Sequence, residues 1–478
     1  MALALMKCSI PVLVLLTAAS CIETPSSQLR TLEDYRQTLP EKNYRELTKK
    51  KVLTVSEACR FALKGNPDYR SACRAVAAAK YRYYRSLAAY LPEVNFRAAA
   101  GQSLRRSHDL LNPPTGIMPR ENVWNGQLGL YASLLIFDGL EREFSVMIAR
   151  REEKISREMT RNSRRLLIRG VACAYYDAVL AKEMQRIAEA DLSFQMSSLR
   201  QAENRYSNGL VSKAAVLNFQ ILVNAARSAI LTARYRGKTA RNSLCALMGY
   251  PQNDLPEELE LSPLNKKEHD YYPGLEYCLE QAAANRPDLQ AAAFLLDIAV
   301  FRKWQSYSGF LPTIRAGTGL GFSAADSRYG GYQFDASHHN TLDFSYGLTG
   351  EWNLFRGFAT VNLIRERRVL EDLSRLHLDN IFLQAITEVK DAYANYQNAR
   401  GQVELARETL NQVYEQRALV QSAFWCGRDT ITRLNGAQSA VVESESRLAI
   451  ALIELRRAEI QLNAAMNLEK YPVDPCIR

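Results

Sequence analysis

Histidine is scarce in this chain: five in 478 residues, His108, His269, His338, His339 and His377. They form no HExxH motif, and none shares a helix with a carboxylate at ligand spacing, which excludes a helix-borne zinc hydrolase. His338-His339, between Asp335 and Asp343, reads as a solvated loop between two strands. Cysteine excludes as much. Of nine, Cys8 falls in an expected leader and Cys21 at an expected anchor, leaving positions 59, 73, 173, 245, 278, 426 and 476. An odd set without one CxxC pair supports neither a disulfide framework nor a zinc ribbon. Single thiols buried in helices are the expectation, and no metal is assigned. Beyond the first twenty residues no run reaches the roughly 18 apolar residues a membrane helix needs. Any crossing of a membrane therefore falls to strands. No nucleophile and base come together in a motif, and no catalytic site is assigned. The run Gly317-Thr318-Gly319-Leu320-Gly321 lies in an alternating stretch with no helix after it. It is a strand with glycine on one face, not a dinucleotide loop, so no cofactor is expected.

The net charge of +10 and pI of about 9.1 raise nucleic acid as a partner. The cations are interspersed with Glu and Asp through helical stretches, as on a solvated face, and no nucleic acid is expected. Residues 1–20 carry one cation, Lys7, then the apolar run Ile10–Ala18 and Ala18-Ala19-Ser20-Cys21. That is a signal peptide with small residues before the cut. A Cys directly after them resembles the bacterial lipoprotein signal, which marks Cys21 for lipidation (diacylglycerol and palmitate). Ile22 behind it fits sorting to the outer membrane.

The chain is duplicated. Asn66-Pro67-Asp68 through Leu91-Pro92 returns as Arg286-Pro287-Asp288 through Leu311-Pro312, both prolines displaced by 220 positions. Further on, Phe137-Asp138-Gly139 answers Phe355-Arg356-Gly357, Tyr175 answers Tyr393 and Gly209 answers Gly427. Gln220 answers Gln438 and Met248 answers Met466, all at 218. The change of two falls between Pro92 and Phe137, where a loop absorbs it. Units of this size are copies of a domain-sized element, not solenoid repeats.

Each copy reads helix–strand–strand–helix. A tether at 21–52 leads into the first repeat, 53–250, where Thr54-Val55-Ser56-Glu57 forms a capping box. After Pro92 the period turns to two, predicting strands at about 93–103 and 125–136. Leu128, Leu130, Ala132 and Leu134 then oppose Gln127, Gly129, Tyr131 and Ser133. From Leu140 to Tyr206 there is no proline, and Gly170 is the single internal glycine. The apolar spacing there predicts a helix about 100 Å long. With its return it forms a hairpin over 140–248, turned at Gly209. A linker at 251–275 precedes the second repeat, 276–468. Its strands are expected at about 313–324 and 342–354, and its hairpin at 358–467 turns at Gly427. A tail, 469–478, follows.

Ten-residue strands with one apolar and one small or polar face carry the pattern of a transmembrane barrel. Four such strands cannot close, and an open edge is not tolerated in lipid. Three subunits supply twelve strands, a workable barrel. The paired Asn/Arg-Pro-Asp segments, Leu-Pro strand entries, Phe-x-Gly exits and glycine turns resemble the bacterial outer-membrane efflux family. Its TolC-like channels and the OprM/NodT-type lipoprotein branch are the nearest in pattern, over about residues 53–468. The resemblance implies a mainly α homotrimer with a small β part. A twelve-stranded outer-membrane β-barrel would continue into a long α-helical barrel through the periplasm. It further implies an exit duct joined through a periplasmic adaptor protein to an inner-membrane transporter.

Relatives often close the periplasmic end with acidic rings just past the glycine turns. Here Asp429 stands with Arg428 and Arg433, and Lys213 follows the first turn, so the gate candidates are Lys213, Arg428, Asp429 and Arg433. A reading from another class is a structural or adhesive outer-membrane lipoprotein whose coiled coil is a spacer. It accounts for the anchor and the helices but not for the duplicated strands.

Overall fold

The computed structural model describes residues 50–106, 120–250, 255, 259–262, 274–330 and 336–468. The expected leader, Cys21 and tail 469–478 lie outside them. In chain order the elements are β1 (Val52–Leu53), α1 (Val55–Gly65), α2 (Pro67–Leu87), β2 (Glu93–Arg106), β3 (Arg120–Phe137), α3 (Glu141–Ser207), α4 (Lys213–Met248) and β4 (Glu260–Leu261). Then follow α5 (Leu275–Asn285), α6 (Pro287–Gln305), β5 (Thr313–Gly330), β6 (Ala336–Glu351), α7 (Ala359–Trp425) and α8 (Ile431–Met466).

The signals at each boundary are local. Thr54 accepts from the Glu57 amide at 3.4 Å, and the Glu57 carboxylate accepts from the Thr54 amide at 3.1 Å, a complete capping box for α1. Asn66 caps α2 by accepting from the Tyr69 amide at 3.1 Å, with Pro67 at the first helical position. Helices α3 and α7 are each 67 residues long, and α4 and α8 each 36. Equal lengths follow from the duplication.

The sheet runs β2-β3-β5-β6, antiparallel throughout. Its strands outlast the alternating pattern: β3 begins at Arg120, β5 ends at Gly330 and β6 begins at Ala336. His338 and His339 are therefore residues of β6, paired with Asp326 and Ala325, and not of a loop. Ladder hydrogen bonds extend wherever two backbones continue to face each other, whatever the side chains do.

The helices repeat the order of the strands beneath which they lie. Helix α2 packs on α3, α3 on α6 and α6 on α7; farther down, α4 packs on α3, α3 on α8 and α8 on α7. Helix α2 stands end to end on α4, where the Asn66 amide donates to the Leu247 carbonyl at 2.9 Å. Helix α6 meets α8 in the same way. The Asn467 amide there donates to the Asn285 carbonyl at 2.9 Å. Four rods thus hang below four strands, with α2/α4 at one edge and α7 at the other.

An 18-residue window in α4 reaches a mean hydropathy of 1.4, enough by length and composition to cross a membrane. The reading by unbroken runs missed it because Asn218, Gln220 and Asn224 interrupt the apolar residues. In the fold, α4 buries Val216, Phe219, Val223, Ala226, Ile230 and Ala233 as half of a hairpin.

Three cores hold the rods. One joins α1, α3 and α4 with Leu255, Leu259 and Leu261, so described residues of the linker belong to the core. Tyr175 ties it together, donating to the Leu53 carbonyl at 2.8 Å while its oxygen accepts from the Ser262 amide at 3.0 Å. This secures β1 against β4. A second core lies between α5, α7 and α8, and a third near the turns.

Candidate functional site

Register divides the sheet into two faces. Phe96, Leu130, Leu320 and Phe344 stand in one cross-strand row, and Ala98, Leu128, Phe322 and Leu342 in another. Rows of the opposite face read Asn95, Tyr131, Gly319, Ser345 and Arg97, Gly129, Gly321, Asp343. On that face the Tyr131 ring lies over the backbone: a Cβ on Gly129 or Gly319 would fall within 2.8 Å of it. The Arg97 guanidinium sits 5.5 Å from the ring centre. The polar face is thus a smooth wall here, with the Tyr131 ring laid along the strands and a charge at each end of a glycine row. Sequence reading found the two faces but not the pose of Tyr131.

At the strand exits both copies use the same backbone device. Gly139 and Leu140 have φ of 70° and 70°, and Gly357 and Phe358 have 59° and 65°. Left-handed Leu and Phe are strained by about 1–3 kcal/mol each. In the first copy Arg142 holds the corner, donating to the Leu135 carbonyl at 2.8 Å with its guanidinium 4.1 Å over the Tyr90 ring.

Where the rods join end to end, the copies part. Among the described residues, the Asn66 side chain of the first copy bonds only the Leu247 carbonyl and the Tyr69 amide of its own helix. Its counterpart Arg286, 3 % exposed, donates to the equivalent Ala465 carbonyl at 3.2 Å and adds an ion cluster. Its Nη2 lies 2.6 Å from Asp288 and 2.7 Å from Glu388. Arg165 of α3 approaches the same Asp288 at 3.5 Å and donates to the Ala464 carbonyl at 3.2 Å. Burial by itself raises the Asp288 carboxyl. The Arg286 hydrogen bonds and charge, with Arg165 behind them, outweigh that and hold it below the ordinary carboxylate value. The cluster pins α3, α6, α7 and α8 at one level. Its sequence signal was the Arg at 286 where the first copy has Asn.

The expected turns lie side by side. Gly209 and Gly427 have φ of 72° and 73° and close α3 and α7, with the Leu210 and Arg428 amides donating back to Arg205 and Ala423 at 2.9 Å each. Arg205 donates to the Trp425 carbonyl at 2.7 Å, its guanidinium 4.8 Å from the indole centre. Asn435 donates to Asn218 at 3.1 Å. Of the four gate candidates the fold brings two together: Arg433 Nη1 lies 3.6 Å from Asp429 Oδ2. Asp429 also accepts from the Thr430 amide at 2.8 Å. Arg428 is exposed beside them, and Lys213 is the exposed first residue of α4.

Above the turns a polar ladder, missed in the sequence, joins the hairpins. Gln438 donates to Asp191 at 2.9 Å. Tyr414 hydrogen-bonds Glu445, which Arg186 approaches at 4.0 Å. Burial and Glu445 push the Tyr414 hydroxyl up to about 12. Among the described residues no group of three or more His, Cys, Asp and Glu could hold a metal ion.

The family model for outer membrane efflux proteins matches residues 59–250 and 278–468, one segment in each repeat. The alkaline protease secretion protein AprF of Pseudomonas aeruginosa is 22 % identical over 422 residues, spanning 85 % of this chain and 82 % of that protein. Among solved structures, the outer membrane protein VceC of Vibrio cholerae superposes with a TM-score of 0.70 at 17 % identity, covering 86 % of this chain and 95 % of that one. The Campylobacter jejuni CmeC outer membrane channel superposes with a TM-score of 0.72 at 14 % identity, over 90 % and 88 %.

Proposed function

Because the chain belongs to the outer membrane efflux protein family, we propose that it is the exit duct of a tripartite efflux or type I secretion system. In this reading it passes small molecules or exported polypeptide from an inner-membrane pump, through a periplasmic adaptor, to the outside. One observation carries the reading. The sheet β2-β3-β5-β6 and the rods beneath it share one order, and both end in open edges at the same two places. A four-stranded sheet with free β2 and β6 edges cannot stay in lipid. Three copies join β6 to the next β2 and α7 to the next α2/α4, closing a twelve-stranded barrel over a twelve-rod tube.

Side chains support this. The α7 edge exposes Val369, Leu373, Leu376 and Leu383 at coiled-coil spacing, and the α2 edge exposes Tyr81 and Tyr84. Exposed Trp304, Phe310, Trp352, Phe355 and Phe358 gather where strands meet helices, as an aromatic girdle at a membrane surface does. The polar sheet face becomes the lumen and the apolar face meets lipid. The 67-residue helices, about 100 Å long, reach across the periplasm. Cys21 adds a lipid anchor. A relative named for protease secretion supports the polypeptide side of the proposal.

The test is the detergent-extracted protein. A trimeric rod well over ~100 Å long that conducts ions in planar bilayers is expected. A monomer or parallel coiled coil without conductance would overturn the duct in favour of the spacer lipoprotein.

A further inference from the structure

Helices α4 and α8 are copies, yet their charges differ. Helix α8 carries four cations and four acids, whereas α4 carries six cations and no acid. The face that α4 buries against its own hairpin is the stripe from Val216 to Ala233. A second stripe on α4 faces outward at Leu217, Ile221, Asn224, Ser228, Leu231 and Tyr235, in steps of four and three. Leu217, Ile221, Leu231 and Tyr235 are 49–73 % exposed. Alternating steps of four and three make a coiled-coil seam, and in a single copy this seam has no partner.

A matching seam lies on the opposite edge. Along α7, Leu405, Glu408, Gln412, Glu415 and Leu419 face outward in steps of three and four, with Leu405 and Leu419 60 % and 72 % exposed. The turns Gly209 and Gly427 stand level, because Asn218 and Asn435, nine and eight residues beyond them, are hydrogen-bonded. Depth can therefore be counted in residues from each turn. Leu217 and Leu419 both lie 8 residues from their turns. Asn224 and Gln412 both lie 15 away, Leu231 and Leu405 both 22, and Tyr235 and Gly401 both 26. The bulkiest knob on one seam is thus level with a glycine on the other, where a Cβ would touch nothing within the protomer. A mid-helix glycine costs about 1 kcal/mol against alanine, and a hole for Tyr235 gives it a use.

Charge agrees with shape. Among the described residues Arg227, Glu408 and Glu415 make no ion pair within the protomer. Arg227 lies 18 residues from its turn and Glu408 lies 19. Ile221 and Glu415 are level, each 12 residues from its turn and exposed, and a Glu side chain offers an apolar methylene stem to such a neighbour.

We infer that α4 of one copy and α7 of the next form an antiparallel coiled-coil seam, in register from the turns upward, with Tyr235 seated on Gly401 and Arg227 paired to Glu408. It rests on the trimeric duct and specifies which residues of a second copy meet. Arg227 of α4 is neutralised across the subunit boundary, whereas Arg234 of the same helix pairs with Glu189 within the fold.

Disulfide trapping tests it in full-length protein with the exposed Cys426 changed to Ser. Leu231→Cys with Leu405→Cys should give covalent trimers on oxidation, while either change alone should not. Gly401→Phe, which fills the hole, should make trimers dissociate at least about tenfold faster. Adding Tyr235→Ala should restore their lifetime. Trimers that form normally but neither cross-link nor respond to Gly401→Phe would overturn the seam and leave the duct standing. Cross-linking of Leu231→Cys solely to another protein would also overturn it. A wild-type protein that is no trimer would remove the duct and the seam together.

Discussion

Arg286 shows how much one substitution between copies can add. With its side chain 4 % exposed against the half-buried Asp288 and Glu388, Arg286 cannot be removed without leaving both acids short of a partner. The expected loss in Arg286→Ala is about 1.5–3 kcal/mol, read from chemical unfolding in detergent by helical circular dichroism. Arg286→Asn, copying Asn66, should recover only the bond to the Ala465 carbonyl. The pH dependence follows from the depressed Asp288. Its unfolded form takes up protons first, so the stabilisation is present above the ordinary Asp value of about 4 and is lost as pH falls through the lower folded value. Wild type should lose stability on acidification below pH ~4, and Arg286→Ala should lose less. A second prediction concerns Asp429, whose pair with the exposed Arg433 is worth at most about 1 kcal/mol per copy. In a trimer, Asp429→Ala would free Arg428 and Arg433 to repel around the axis. It should raise the open probability in planar bilayers and sensitise cells to large antibiotics, and wild-type conductance and sensitivity would discard the ion-paired gate. Both residues stood out in the sequence, Arg286 where the other copy has Asn66 and Asp429 as the acid kept beside Arg428 and Arg433. Asp429 has its partner Arg433 within one helical turn, whereas nothing near Arg286 reveals Glu388, which lies far along the chain.

For the elements, the sheet faces make the sharpest statement. Leu348 shares its row with Leu134 and Ala316, and Ser345 shares the opposite face with Tyr131 and Gly319. Leu348→Arg should cost roughly 2–4 kcal/mol of insertion energy near the midplane, measured by folding into lipid vesicles, while Ser345→Arg should insert nearly as wild type. Equal insertion of the two would mean the wrong face meets lipid. The helices were legible almost to the residue, because caps, glycine turns and a 3.6-residue period are all local signals. Strand ends were not. Pairing such as Asp326 with His338 depends on what the opposite backbone does, and alternation had already faded there.

For the whole molecule, the proposed anchor and the proposed barrel are separable. Cys21→Ser should abolish acyl labelling and slow leader cleavage, while the strands still insert and trimers still form. Unchanged labelling would remove the lipid anchor and leave the barrel untouched. The parallel pair β1–β4 suggests why the two parts cooperate: Tyr175 fastens the end of the tether to the linker between repeats, so an anchor at Cys21 would pull on the middle of the rods.

The sequence by itself determined that the chain is two copies of one unit, which stretches are long helices, and which carry a two-faced strand. It did so because repetition, period and turn chemistry are written in neighbouring residues. Only the tertiary structure decided that the helices follow the order of the strands, that α2 rests on α4, and that Arg286 gathers acids where Asn66 gathers none. It alone set the two turns level, so that the edges could be compared residue by residue. Those facts join positions a hundred or more apart, and a periodic face states that it will be buried without stating against what.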